Sequence, residues 1–147
     1  MTEYATATPR IAVYLIIRNG DTCAFVRRAN TGWRDGFYGL PAGKVEKDES
    51  FTAAAIREAK EEVGITIRVD QLRQVLTSHR TEDGSDWVDV MFEVTAYEGD
   101  VYNAEPHMHS ELAWLSLDEL PDDVTPSQKE MLYAYAHDQP FVEIGWN

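Results

Sequence analysis

The apolar residues of this chain follow two different periods. Residues 11–19 are nearly continuous in β-branched, aromatic and aliphatic side chains, Asn19-Gly20-Asp21 breaks the run, and residues 22–28 resume it. Two apolar runs around a turn of that composition predict a β-hairpin. Residues 11–17 show almost no polar alternation, so their strand is expected to be covered on both faces, with helices flanking the sheet. Further strands are expected at residues 65–69, 72–80, 87–97 and 112–115, with 81–86 closing a second hairpin.

From residue 50 to residue 63 the spacing turns helical, and Gly64 stands where a glycine ends a helix. On a wheel of about 100° per residue, Thr52, Ala55, Ile56, Ala59 and Val63 form one stripe, the expected core face. A second helix is expected from Thr125 to about His137. Its cap threonine, Pro126 at the first helical position and Gln128 three residues after the cap spell a capping box. Residues 29–36 form a polar, glycine-containing loop that carries Trp33, Arg34 and Asp35. Hairpins with two helices predict an α+β chain, an α/β/α sandwich with a mixed β-sheet between helices. Nothing resembling a repeat or linker divides residues 1–147, so one domain is expected.

With 44% hydrophobic and 27% charged residues, the composition is that of a folding chain. Asp and Glu number 26 against 13 Lys and Arg, a formal charge of −13. Such a surface repels nucleic-acid backbones, so no nucleic-acid partner is expected. A phosphate-bearing ligand must then be met by a local cluster of cations. The single cysteine, Cys23, excludes an internal disulfide and reads as packing. Met1-Thr2-Glu3-Tyr4 offers no basic segment leading into an apolar one, and no stretch nears the roughly 20 apolar residues that span a bilayer. A cytoplasmic protein without a membrane partner is the expectation.

Glu58, Glu61 and Glu62 stand at i, i+3 and i+4, three carboxylates on one helix face beside the apolar stripe. Like charges at these spacings cost an isolated helix about 0.2–0.5 kcal/mol per pair. Glu61 and Glu62 also fall in the last turn, where the helix dipole disfavours anions. Two readings are open. One is a solvated acidic face softened by Lys60 and by Arg57 reaching Glu61. The other is a bound divalent cation on oxygen ligands, which selects Mg²⁺ or Mn²⁺ over zinc.

The residues before the helix decide between them. From Gly43, five residues lead to Glu49 and seven more to Arg57-Glu58, then Ala59, Lys60, Glu61-Glu62, Val63, Gly64 and Ile65. This agrees with the Nudix box, G-x5-E-x7-R-E-U-x-E-E-x-G-U with U apolar, at seven fixed residues over 23 positions. The chain therefore resembles the Nudix hydrolases. The approach Phe37-Tyr38-Gly39-Leu40-Pro41-Ala42-Gly43 is similar to the family's W-x-L-P-G-G, with alanine at Ala42. Trp114-Leu115-Ser116-Leu117-Asp118-Glu119-Leu120-Pro121 is similar to its W-x-x-L-D-E-L-P.

The resemblance implies hydrolysis of a nucleoside diphosphate linked to another group, by water attacking a phosphorus, with Mg²⁺ or Mn²⁺ as cofactor. It implies Glu58, Glu62 and Glu61 as metal ligands, joined by the Ala42 backbone carbonyl. Glu58 is alternatively the general base, so Glu58, Glu61, Arg57 and Glu49 form the expected catalytic group, Arg57 orienting a carboxylate such as Glu49. A further carboxylate from outside the box is expected among Glu105, Glu111 and Asp89. Substrate contacts are expected from Arg27, Arg34, Tyr38, His79 and Trp87, with Arg28, Trp33 and Arg80 in the same set, arginines meeting phosphate and rings stacking on a base. His107 and His109 form an H-x-H pair with no cysteine nearby, a weak zinc signal that reads as an exposed loop. The expected partner is a small nucleotide-type diphosphate, with homodimers familiar among such relatives. The substrate alternatives are a nucleoside triphosphate, as in nucleotide-pool sanitation, and a nucleotide sugar or other non-canonical diphosphate. A non-catalytic nucleotide-binding module is the third alternative, disfavoured by the complete box.

Overall fold

The computed structural model describes residues 5–147, so Met1-Thr2-Glu3-Tyr4, on which the leader reading rests, lie outside the described residues. The chain runs β1 (Arg10–Asn19), β2 (Thr22–Arg28), β3 (Tyr38–Gly39), β4 (Ala42–Lys44), α1 (Phe51–Val63), β5 (Leu72–Glu82), β6 (Ser85–Val94), β7 (His109–Ser116), α2 (Pro126–Ala136) and β8 (Phe141–Ile144). The strands lie in the order β3-β2-β1-β6-β5-β8, with β4 added to β1 and β7 to β2. β1 runs parallel to β6 and β5 parallel to β8, while the other pairs are antiparallel, so the sheet is mixed.

The unbroken apolar run of β1 serves two cores. Val13, Leu15 and Ile17 pack with Ala55, Ala59 and Val63 of α1. Ala12, Tyr14 and Ile16, on the opposite face, share a core with Met131 and Leu132 of α2. A strand buried on both sides needs apolar residues at every position, which is why alternation is absent from this segment.

β1 and β2 pair only beside their turn, at Arg18–Cys23 and Asn19–Thr22. Beyond it they diverge. Residues 38–44 cross the gap, pairing first with Arg27 and Val26 of β2, then with Ala12, Val13 and Tyr14 of β1. Between the two contacts, the Leu15 amide donates to the Pro41 carbonyl at 2.9 Å. This crossing delivers Gly43 to the base of α1 and leaves a cleft between the parting strands.

Several expectations are corrected. Residues 65–69 do not form a strand: a single bridge, Thr66 to Glu98, precedes a 3-10 turn at Val69–Gln71. Ile65 and Ile67 are nevertheless buried, so their alternation records core packing without pairing. β6 ends at Val94, short of Tyr97. The two- to four-residue strands β3, β4 and β8 are too short to leave a periodic signal. In α1 the buried set is Ala54, Ala55, Glu58, Ala59, Glu62 and Val63. Thr52 and Ile56 are only half-buried, so the core face is turned toward the carboxylates.

The capping box of α2 is not made. Thr125 Oγ1 donates to the Tyr38 carbonyl at 3.2 Å, and Gln128 Oε1 accepts the Leu40 amide at 2.7 Å. Both side chains satisfy buried groups of the crossing segment, whose peptides have fewer alternatives than an exposed helix end. The side-chain cap belongs to α1 instead, where Ser50 Oγ accepts the Ala53 amide at 3.1 Å. Gly64 ends that helix at φ +75°, and a Cβ there would lie 2.1 Å from the Tyr102 ring. Among the described residues, no helix is long and apolar enough to cross a membrane.

Gln128→Leu strands the Leu40 amide and is expected to lower stability by about 1–3 kcal/mol. Ser50→Ala, which removes a solvated cap, is expected to cost about 1 kcal/mol. Chemical denaturation of both variants measures the order.

Candidate active site

Arg57 organises the acidic helix. Its Nε and Nη2 donate to the two oxygens of Glu49 at 2.7 and 2.9 Å, a bidentate pair. Nη1 donates to Glu58 Oε1 at 2.7 Å and to Glu61 Oε2 at 3.3 Å, while Nη2 also reaches the Lys44 carbonyl at 3.0 Å. Glu49 takes the Glu46 amide as well, and with Arg57 as the main cause its carboxyl falls to about 2. Glu49 thus stays ionised and holds Arg57, while Arg57 aims Glu58.

Glu58 and Glu62 are 8% and 9% exposed, unusual burial for carboxylates. Burial pushes Glu58 up to about 7, against the pull of Arg57, and Glu61 and Glu105 push it further. Glu62 rises well above the ordinary value, again chiefly by burial and then through the charges of Glu58 and Glu105. The Ala42 amide, which donates to Glu62 Oε2 at 3.0 Å, and the Arg28 charge oppose the shift. Burial and neighbouring carboxylates therefore raise the proton affinity of Glu58 and Glu62 around a spot with too little positive charge.

Gly43 is fixed by contact. A Cβ at this position would stand 2.0 Å from Cδ and Oε1 of Glu58. The crossing segment can pass the carboxylate at that range only as glycine.

A cleft of about 460 Å³ leads away from Glu62 and Gly43 to an indole wall. Arg10, Lys44 and Arg80 lie 5.7, 5.9 and 5.0 Å from the centre of the Trp87 ring. Asp89 holds Arg80 from behind with bonds of 2.9 and 3.0 Å, and Ser78 donates to the same carboxylate at 2.7 Å. Across the cleft, Trp33 is fixed by Nε1 donating to Asp83 at 3.1 Å and by its carbonyl accepting from Arg28 Nε at 2.8 Å.

Of the residues expected to contact substrate, Trp87, Trp33, Arg28 and Arg80 line this cleft, and Arg27, Arg34, Tyr38 and His79 do not. Arg27 lies over the Tyr38 ring and pairs with Asp123, the Tyr38 hydroxyl bonds Glu111, and Arg34 pairs with Glu82. His79 packs at a tilt against Trp146, one residue out of phase with buried Arg80. Among the further acids, Glu105 acts on both buried carboxylates, Glu111 is engaged by Tyr38 and Arg27, and Asp89 is spent on Arg80 and Ser78. His109 contradicts the exposed-loop reading, being 5% exposed and on the cleft wall. The cleft positions of Lys44 and His109 had no periodic signal, since β4 and a bulge in β7 put them there, and Arg10 joins them from the first position of β1.

Among the described residues, no three His, Cys, Asp or Glu side chains converge into a ready-made ion cage. Glu58 is turned onto Arg57 and Glu62 onto the Ala42 amide, each through one oxygen. The donor chemistry still fits a hard divalent cation: buried, mutually repelling carboxylates on one helix face, with a second oxygen each outside those bonds.

Comparison with known proteins agrees with this architecture. The family model described as NUDIX domain matches residues 8–135. An ADP-ribose pyrophosphatase of Methanocaldococcus jannaschii is 27% identical over 77% of this chain and 65% of its own length. The uncharacterized Nudix hydrolase YvcI of Bacillus subtilis is 28% identical over 71% of this chain and 65% of its own. This chain thus spans 65% of the length of both curated relatives. The crystal structure of a MutT NUDIX hydrolase from Burkholderia pseudomallei superposes with a TM-score of 0.77 at 27% identity, covering 86% of this chain and 97% of that one.

Two variants follow from the geometry. Glu62→Gln keeps an acceptor for the Ala42 amide and removes a buried charge. A carboxyl with a raised folded pKa lends its full stability below the ordinary value of 4.5 and loses it as pH rises through the raised one. In metal-free protein at pH 8 the variant is therefore expected to melt a few degrees above the parent, with the gap closing toward pH 5 in thermal melts. In Gly43→Ala the nearest atoms met by the new Cβ all belong to the Glu58 side chain and none to backbone, so the fold is expected to survive with that side chain displaced. The displaced Glu58 carboxylate is expected to weaken Mg²⁺ affinity about 10–100-fold by calorimetry.

Proposed function

The chain belongs to the Nudix family, and from that premise we propose that it is a divalent-metal-dependent pyrophosphohydrolase of a nucleoside diphosphate derivative. The observation that carries this reading is the pair of buried carboxylates, Glu58 packed against Gly43 and Glu62 lining a cleft that also holds a cation-flanked indole. Nothing in folding explains burying them side by side, because burial makes each costly to ionise and the charge of Glu58 adds to the cost at Glu62.

Glu58 and Glu62 would hold Mg²⁺ or Mn²⁺, with Glu61 and Glu105 alongside and the Ala42 carbonyl as a further expected ligand. Bound there, the cation supplies charge neutralisation for the diphosphate and acidifies the attacking water. The chain itself does the rest. Arg57, clamped by Glu49, fixes Oε1 of Glu58 and leaves Oε2 outside that bond. Sequence and geometry leave both roles, metal ligand and general base, with Glu58. Arg28, Arg10 and Lys44 place positive charge along the cleft of a protein that is −13 overall, meeting phosphate locally. Trp87 and Trp33 offer flat faces to a base or sugar. A cleft of about 460 Å³ suits one small molecule, and the acidic exterior disfavours a polynucleotide.

The name of the archaeal relative favours a second substrate reading, a nucleotide sugar such as ADP-ribose. Both substrates present the same diphosphate to the same carboxylates and differ in the leaving group.

A panel of nucleoside triphosphates and nucleotide sugars, assayed with Mg²⁺ and Mn²⁺ for released phosphates, separates the two. On the best substrate, Glu58→Gln is expected to lower kcat by about 100-fold or more. Undiminished turnover in that variant rejects the assignment of Glu58, and no turnover of any diphosphate by the parent rejects the enzyme.

A further inference from the structure

His109 opens β7 at the one place where its pairing with β2 slips. Arg27 lies opposite Glu111 but Arg28 lies opposite His109, so Ser110 is an extra residue on β7. Such a bulge re-aims the side chain beside it. It puts His109 on the same side as Arg28, and both line the cleft that Glu62 enters. The backbone is held on three sides. The His109 amide donates to the Glu105 carbonyl at 3.0 Å, its carbonyl accepts from Asn103 Nδ2 at 2.8 Å, and the preceding carbonyl of Met108 takes the Ala29 amide at 2.9 Å.

The imidazole so fixed is 5% exposed, and its Nδ1 is buried without a hydrogen-bond partner. A buried polar nitrogen is normally satisfied, and one that is not, on a cleft wall, points to a ligand. Burial and the neighbouring Arg28 both hold the ring neutral. It therefore carries one N–H donor and no charge, and sits beside the arginine without repelling it.

We propose that His109 is a substrate-contacting residue that, with Arg28, grips the phosphoryl group facing Glu62 through a ring N–H that donates to a non-bridging oxygen. This rests on the diphosphate reading above for the nature of the ligand and on the bulge and the unpartnered imidazole on the cleft wall for the contact. The pair divides the work: Arg28 supplies charge, and His109 supplies a directed donor that leaves the local charge unchanged. Because the contact is made to bound substrate before the chemical step, its loss acts on binding more than on turnover.

Three variants and one spectrum test it. His109→Leu fills the space without a donor and is expected to raise KM for the best substrate about tenfold, with kcat within about threefold. His109→Asn and His109→Gln carry amide nitrogens near the places of Nδ1 and Nε2, and the one that matches the donating nitrogen is expected to restore KM to within about threefold of the parent. In imidazole ¹H–¹⁵N spectra of the Mg²⁺-saturated parent, pyrophosphate is expected to move the His109 resonances more than those of His79, His107 and His137. An unchanged KM in His109→Leu, a loss that neither His109→Asn nor His109→Gln restores, or a His109 signal that pyrophosphate leaves in place overturns the proposal. A parent that hydrolyses no diphosphate rejects the enzyme reading instead, and the pyrophosphate spectrum still decides whether His109 meets phosphate.

Discussion

Two carboxylates buried on one helix face create a charge problem that the fold solves only in part. Water is the ordinary solvent for a carboxylate, and Glu58 and Glu62 have little of it. Arg57 compensates Glu58, and the Ala42 amide with the more distant Arg28 compensates Glu62. What remains is a deficit of positive charge beside the cleft, which the proposed divalent cation would fill.

Around this deficit the surrounding residues act as supports. Glu49 is the anchor of the set: it keeps its charge far below neutral pH, so Arg57 has one permanent bidentate partner and can spend its remaining donors on Glu58, Glu61 and the Lys44 carbonyl. Gly43 provides close approach, Gly64 ends the helix before its acidic last turn can run on, and the crossing segment brings the Ala42 peptide to Glu62. That segment is in turn held by α2 through Gln128 and Thr125, which ties the second helix to a site it does not reach with an ionisable group.

The cleft arises from a topological accident of the hairpin. β1 and β2 part because each has a better partner elsewhere, β6 and β4 for one strand and β7 and β3 for the other. The gap is lined by side chains from both, so cations from β1, β2 and β4 meet indoles from a loop and from β6 at one place. Buried ion pairs such as Arg80–Asp89 then act as scaffolding for the aromatic wall, which is why Asp89 serves structure even though its residue type suits a metal.

The sequence by itself determined the family, the doubly covered first strand, both helices and the acidic helix face, because each is written in local spacing: a box of fixed residues, an unbroken apolar run, a 3.6-residue period. The bond from Arg57 to Glu49 was legible for the same reason. Tertiary structure alone decided which arginines and aromatics face the cleft, since strand register and a one-residue bulge set the side of every following residue, and neither leaves a trace in composition. Arg27 and Arg28 are neighbours in the chain, yet one is consumed by Tyr38, Glu111 and Asp123 and the other lines the cleft. The fate of Thr125 and Gln128 was likewise decided at a distance. A cap bond within α2 competes with peptides brought in from residues 38–40, and burial of those peptides tips the balance toward the longer-range partner.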